Sequence, residues 1–383
     1  MYNTAATYDE NYKKGPDPLF VKGGKVPIVK YTKKAQYEFL GSPLHIPFGV
    51  AAGPLLNAAF VKVALNAGFC MPVYKTVRSL EWKSNAWPNI LTITSKENSL
   101  YAENDNKVIG RNLGTEDFLS RNLSISNSFG VPSQKPAIWQ QDFIQLCNLY
   151  SSTGRQIVLS FQGSRVEKAS PKETKKAFFD DISNVTQLVL DCVNLTSSCT
   201  IEINLSCPNE VQSPLYKDIQ SSVEVICLVN SILTQQKKKV NLIAKIGVLS
   251  EEDLNRFIGE TAGKIDAISA INTVSADIRK PNGEIALGSG SPSGGICGAL
   301  IFQQGLQMVS RLSKIKEKQG FKTSELSIIG VGGVMSAEHF NSYLSAGANV
   351  VHAATGMMWN LNLAAEIAEA LKVPFEKSWE DLS

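Results

Sequence analysis

Eight short apolar runs, separated by longer amphipathic stretches, constrain this sequence more than any other feature. They cover 46–51, 71–75, 157–161, 200–204, 241–246, 267–271, 327–330 and 350–353. The runs are near-continuous rather than alternating, which is the pattern of strands buried on both faces. Several intervening stretches carry readable helix starts. Ser170, Pro171 and Glu173 supply an N-cap, a proline at the first helical position and a glutamate at the third. Ser221 and Glu224 repeat that spacing, Ser250 precedes three acidic residues, and Ser336 precedes Ala337 and Glu338. A last helix, rich in alanine and leucine, covers 361–371 ahead of Pro374. Eight strand–helix units predict an α/β fold, a (β/α)8 TIM barrel in preference to an open doubly wound sheet. Functional residues in such a barrel come from the C-terminal ends of the strands.

Two regions fall outside the repeat. Residues 1–40 read as an N-terminal extension, and 41–383 as the barrel. The segment 77–136, rich in asparagine and serine, reads as a long insertion after the second strand. A loop of that length carries function or a small subdomain. No second domain with its own core and no internal repeat is evident.

Composition narrows the function classes. Lys plus Arg is 38 against 35 Asp plus Glu, a net charge of +3, and no dense basic block suggests a nucleic-acid partner. The run Lys237, Lys238, Lys239 sits at a predicted helix end and reads as a solvated face. Seven cysteines are spread without a C-x-x-C pair, which argues against a disulfide framework, a structural zinc or a protein-held iron–sulfur cluster. The histidines, His45, His339 and His352, show no ligand spacing. The opening 34 residues are polar, and the most apolar stretch, 46–61, is interrupted by Gly49, Gly53, Pro54 and Asn57. Neither reads as a secretory signal or a membrane span, so the expectation is a reduced, cytoplasmic protein without a membrane partner.

The strand ends hold the chemistry. Lys75 and Thr76 end the second run, Asn204 the fourth, and Asn272 with Thr273 the sixth, while Lys245 lies in the fifth. Asparagines carry both donor and acceptor and suit a planar ligand with alternating N–H and C=O groups. A lysine adds charge for an anionic group or electron-rich ring atoms. Glycine clusters follow: Gly294, Gly295 and Gly298 around Cys297, then Gly330, Gly332 and Gly333, then Gly356 after Thr355. The first is expected to open the helix after the sixth strand. Glycine turns after strands seven and eight are the usual phosphate site of a barrel. Cys207, between Asn204 and Asn209 and flanked by Ser206 and Pro208, is the candidate base or nucleophile. Cys70, Cys192 and Cys227 sit in apolar contexts and read as core.

These residues resemble the dihydroorotate dehydrogenase family and its dihydropyrimidine dehydrogenase relatives. The resemblance runs from about Leu40 to Leu371 and rests most on Asn204-Leu205-Ser206-Cys207-Pro208-Asn209. Support comes from Pro47 to Gly53, Lys75-Thr76, Asn127 to Pro132, Ala244-Lys245-Ile246, Asn272-Thr273 and Gly330 to Gly333. The resemblance implies an FMN-dependent oxidation of dihydroorotate to orotate in pyrimidine synthesis. It implies that Ala51, Ala52, Lys75, Thr76, Asn204, Lys245, Gly295, Gly332, Gly333 and Thr355 hold FMN, with Lys245 at the electron-rich edge of the flavin ring. It further implies that Lys75, Asn127, Asn204, Asn209, Asn272 and Thr273 hold the pyrimidine, and that backbone N–H groups of Phe129, Gly130 and Val131 receive its carboxylate. Cys207 is then the base that removes the C5 proton while the C6 hydride goes to flavin N5.

A cysteine at position 207 and a polar N-terminal tail resemble the class that is not membrane-bound, commonly a homodimer, in places with a partner electron-transfer subunit. Ser133 stands where that family has asparagine after Gly130-Val131-Pro132. Three alternatives stay open: a related flavin enzyme acting on another dihydropyrimidine or ring, a flavin-free Schiff-base lyase using Lys75 or Lys245, and a barrel that keeps FMN without turnover. The electron acceptor is open as well.

Overall fold

The structure, a computed structural model, describes residues 1–17, 24–114, 117, 122–150, 154–205, 214–322 and 325–381. Eight parallel strands close into a barrel: β1 (Phe48–Val50), β2 (Met71–Val77), β3 (Val158–Phe161), β4 (Thr200–Asn204), β5 (Asn241–Ile246), β6 (Ala267–Ala270), β7 (Ser327–Val331) and β8 (Val350–Ala353). They stand in chain order around the barrel, and β8 pairs with β1. Each corresponds to one apolar run of the sequence. Apart from Asn204 at the end of β4, every residue of these strands is buried, as continuous apolar runs require. One main helix follows each strand: Ala58–Asn66, Pro136–Leu149, Pro171–Asn194, Ile219–Leu233, Glu251–Thr261, Phe302–Lys318, Ala337–Ser345 and Leu363–Ala370.

The helix starts follow capping chemistry. Ser170, Ser250 and Ser336 are N-caps whose hydroxyls accept from the N–H groups of Glu173, Asp253 and His339, at 3.2, 3.1 and 3.3 Å. The start expected at Ser221 lies earlier. Asp218 is the cap there, and its carboxylate accepts from the N–H of Ser221 at 3.0 Å and from its hydroxyl at 2.6 Å. Aspartate caps as well as serine does, and starting at Ile219 buries that side chain.

The segment 77–136 does not fold alone. Its strands Thr92–Thr94, Lys107–Arg111 and Ser124–Asn127 join Val274–Arg279 and Ser293–Gly298, from the loop after β6, in a second, five-stranded closed sheet. The glycines 294, 295 and 298 therefore lie in a strand, and do not open the helix after β6 as expected. That strand runs antiparallel to both Val274–Arg279 and Ser124–Asn127. Close packing explains the glycines: a Cβ on Gly294 would sit 2.7 Å from Leu287, and one on Gly298 2.3 Å from the Leu123 carbonyl. In the N-terminal region, strand Lys25–Tyr31 pairs antiparallel with Phe375–Asp381. Among the described residues no helix is long and apolar enough to cross a membrane.

The lysine run also departs from its reading as a solvated face. Lys237 and Lys239 are exposed, but Lys238 folds back beyond the end of helix Pro171–Asn194. Its ammonium donates to the carbonyls of Val193, Thr196 and Ser198 at 2.8, 2.8 and 2.6 Å. These oxygens lie where a helix and its following turn run out of backbone donors. Lys238→Ala should therefore cost about 2 kcal/mol, as loss of charge-assisted bonds does. Lys237→Ala and Lys239→Ala should stay within about 0.5 kcal/mol. Urea unfolding of the three variants checks the contrast, and equal midpoints would refute it.

Candidate active site

A cavity opens at the C-terminal end of the barrel, where the strand ends converge. Ala51 and Ala52 follow β1, Lys75 and Thr76 lie in β2, Asn204 ends β4, Lys245 is in β5, and Asn272 and Thr273 follow β6. All eight line the cavity, as do Gly332, Gly333 and Thr355.

A regular strand would send Lys75 and Thr76 to opposite faces. Tyr74 pairs with Leu159 and Val77 with Phe161, so β2 holds one residue more than β3 between these pairs. Such a bulge re-aims side chains, and here both neighbours reach the cavity. The Thr76 hydroxyl lies 3.0 Å from that of Ser160. Asn204 and Lys245 are register partners on β4 and β5 and stand side by side. The Lys245 ammonium donates to the Ala52 carbonyl at 3.3 Å. Burial lowers the Lys245 pKa, and the charge of Glu202 opposes that shift. The side-chain oxygen of Asn272 accepts from the N–H of Thr273 at 2.9 Å, which fixes that amide at the mouth.

The second sheet builds one wall. Asn127, at the end of its strand, lines the cavity with Phe129 and Val131. Gly130 and Gly295 are not among the lining residues. Gly130 packs on the Asn85 amide, and a Cβ on Gly295 would meet the Thr273 hydroxyl at 2.3 Å. Gly130 and Val131 both take positive φ, 75° and 52°. For a β-branched residue that conformation is strained and needs support. Arg78, almost wholly buried, provides it by donating to the carbonyls of Val131 and Gly130 at 3.0 and 3.4 Å and to that of Gly163 at 3.0 Å. The guanidinium stacks 4.5 Å above the Trp82 ring. With these carbonyls engaged, the N–H groups of Phe129, Gly130 and Val131 have no acceptor among the described residues. Cys207 and Asn209 lie outside the described residues.

The glycine turn after β7 fits a phosphate. Gly332 has φ of 132° and Gly333 of 67°, and a Cβ on Gly333 would sit 2.7 Å from Phe302. The Tyr343 hydroxyl donates to the Gly332 carbonyl at 2.7 Å and holds the turn in place. Beside it, the Thr355 hydroxyl is buried, and among the described residues it has no partner at full hydrogen-bond geometry, only the weak contact of the Cys297 thiol. A buried hydroxyl next to bare glycine backbone is what a bound phosphate oxygen would satisfy.

Among the lining residues that sequence reasoning misses are Tyr2 and Tyr8. The N-terminal segment folds over the cavity, and both rings pack edge-on against Phe129, with centroids 5.8 and 5.9 Å away. The Trp87 indole donates to the Thr4 carbonyl at 3.1 Å, and the Asn57 amide to that of Tyr12 at 2.9 Å. Thr7 and Glu10 form a reciprocal cap on helix Tyr8–Lys14. The signals for this strap in the sequence are its tyrosines, in a polar context, and the Thr7–Glu10 capping-box spacing.

The family model described as dihydroorotate dehydrogenase matches residues 34–373. A dihydroorotate dehydrogenase of Dictyostelium discoideum is 32% identical over 373 residues, which are 95% of this chain and 95% of that protein. The catalytic subunit of a dihydroorotate dehydrogenase B (NAD(+)) of Petrotoga mobilis is 27% identical over 190 residues, 48% of this chain and 58% of that one. A dihydroorotate dehydrogenase (quinone) of Cereibacter sphaeroides is 31% identical over 176 residues, 44% of this chain and 46% of that one.

Truncating a buried aromatic ring costs about 3–5 kcal/mol where the site cannot collapse. In a strap held by few contacts, that loss appears as local opening before global unfolding. Tyr8→Ala should therefore speed tryptic cleavage after the exposed Lys13 and Lys14 while the thermal midpoint of the barrel stays put. An unchanged cleavage rate would show that the strap is held by something else.

Proposed function

The chain belongs to the dihydroorotate dehydrogenase family, a family of oxidoreductases, and from that premise we propose that it oxidises dihydroorotate to orotate with bound FMN. The observation that carries this reading is the meeting of Lys75, Asn127, Asn204, Asn272 and Thr273 at one barrel mouth, beside a glycine turn with a weakly bonded hydroxyl. FMN, when bound, supplies the hydride acceptor.

The chain's own residues supply the rest. Gly332, Gly333 and Thr355 receive the phosphate, and Ala51, Ala52 and Thr76 pack along the cofactor. Lys245 contributes positive charge from a buried position, where charge acts more strongly than in water. Asparagines 127, 204, 209 and 272 offer amide donors and acceptors to the two imide-like edges of the pyrimidine ring. Lys75 and Thr273 complete that set. The bare N–H groups of Phe129, Gly130 and Val131 take the carboxylate, and Arg78 holds the loop that presents them. Cys207 removes the C5 proton; a thiol can be tuned to that task near neutral pH. A flavin-free lyase acting on an unphosphorylated substrate would leave the glycine turn and the Thr355 hydroxyl without purpose. The relatives' printed names carry different acceptors, NAD(+) and quinone, so the electron acceptor does not follow from them.

The purified protein should show a yellow flavin spectrum that bleaches anaerobically on adding dihydroorotate. A colourless protein, or a yellow one that dihydroorotate leaves unbleached, would refute the reading. Cys207→Ala should keep the colour and slow bleaching by about 10²–10⁴-fold, the usual contribution of a general base. Stopped-flow absorbance measures this, and a wild-type rate would remove Cys207 from the reaction. Lys245→Ala should weaken flavin retention through gel filtration; a fully loaded variant would refute its cofactor role.

A further inference from the structure

One buried acid lies beneath this site and takes no part in the reading above. Glu202 is wholly buried in β4, and among the described residues neither carboxylate oxygen has a partner at full hydrogen-bond geometry, although the Ser160 and Ser269 hydroxyls act on it as weak donors. A carboxylate so weakly bonded in a packed interior demands an explanation. Its side chain points into the barrel. Asn204, two residues on, lies on the same face of the strand and lines the cavity, and the register partner of Glu202 on β3 is Ser160. Glu202 also senses Ser269, on β6. Strands β3 and β6 are separated by β4 and β5, so only a carboxylate inside the barrel feels both.

Lys245 stands one layer above. It is the register partner of Asn204, two residues nearer the mouth than Ile243, which pairs with Glu202. It is the cation that acts on Glu202, and Glu202 is the anion that acts on Lys245. Burial raises the pKa of one and lowers that of the other, and each charge opposes the other's shift. The two therefore charge together or not at all. Among the described residues, the other titratable groups around Lys245 do not replace Glu202. His352 on β8, wholly buried with both ring nitrogens unpartnered, is held neutral, its pKa lowered to about 3 by burial and by Lys245. Lys75 on β2 carries the same sign as Lys245.

We propose that Glu202 is a positioning residue of this site: the buried counter-ion that keeps Lys245 an ammonium where it faces the electron-accepting ring. The proposal rests on the flavin reading above.

The test is the midpoint potential of the bound flavin, read by absorbance against reference dyes from pH 6 to pH 9, for wild type and Glu202→Gln. Without its counter-ion, Lys245 loses its proton at lower pH. At pH 6 the variant should reduce at least as readily as wild type. At pH 9 it should reduce less readily, by about tenfold in the equilibrium constant with the dye. In a Lys245→Arg background, where the cation cannot deprotonate, the same substitution should open no pH-dependent gap. Should Glu202→Gln not fold, Glu202→Asp, whose shorter side chain moves the carboxylate, carries the same test with a smaller gap. A gap equal at every pH, or none, overturns the proposal. A protein without flavin overturns the functional reading instead, so the two failures are distinguishable.

Discussion

Closing a parallel sheet on itself shuts water out of its interior, and each polar group left inside must then be answered by the protein or a ligand. In β2 and β3 the answer is mutual, Thr76 against Ser160. In β4 and β5 it is electrostatic and incomplete, Glu202 beneath Lys245. At the mouth it is partly local, with Asn204 donating to Gln162 and Asn272 accepting from the N–H of Thr273, and these side chains also line the cavity. The same closure that makes the barrel stable thus concentrates polar side chains at one end. The bulge in β2 extends the effect by delivering two consecutive polar side chains where a regular strand would deliver one.

The barrel alone would leave that end open. The second sheet, made from the loops after β2 and β6, raises a wall above it, and one glycine ties wall to floor. Gly295 pairs in register with Asn127 and lies against the Thr273 hydroxyl, where a Cβ would come within 2.3 Å. Any side chain there would push the strand bearing Asn127 away from the strand end bearing Thr273. A glycine outside the cavity lining therefore sets the distance between two residues that face into it. Arg78 performs a similar service for the loop at Gly130 and Val131, where several bonds from one guanidinium offset a backbone conformation that valine resists.

What was legible in the sequence follows from burial. All eight barrel strands could be read because burial on both faces forces unbroken apolar runs. The strand-end residues could be read because polar side chains interrupt those runs at a predictable place. The second sheet was hidden: Thr92–Thr94, Lys107–Arg111 and Ser124–Asn127 are short, and their exposure is mixed. The glycines of Ser293–Gly298 imitate a phosphate turn because close strand packing and close ligand approach both select for a missing Cβ. Lys238 was misread because its hydrogen bonds go to carbonyls some 40 residues away in sequence. The strap carrying Tyr2 and Tyr8 was missed because its contact, Phe129, is remote in the chain. The chemistry of Cys207 and Asn209 rests on the motif alone.

The two sides of the cavity differ in kind, and the difference bears on how a flat ligand would lie. The floor presents lysine and asparagine side chains, whereas Tyr2, Tyr8 and the ring of Phe129, which the wall itself carries, cluster into an aromatic cover. A planar ring that turned its hydrogen-bonding edges toward the cover would lose those bonds and regain little from aromatic faces. A ring lying parallel to the cover keeps its edges on the amides and places its face against apolar surface. Exclusion of water by the cover also strengthens every interaction with Lys245, since the field of a buried ammonium is not screened by solvent. The strap is therefore coupled to the charge beneath it. Loosening Tyr8 would admit water to Lys245 and weaken its hold on an anionic ring, though no atom of the strap touches the lysine's counter-ion.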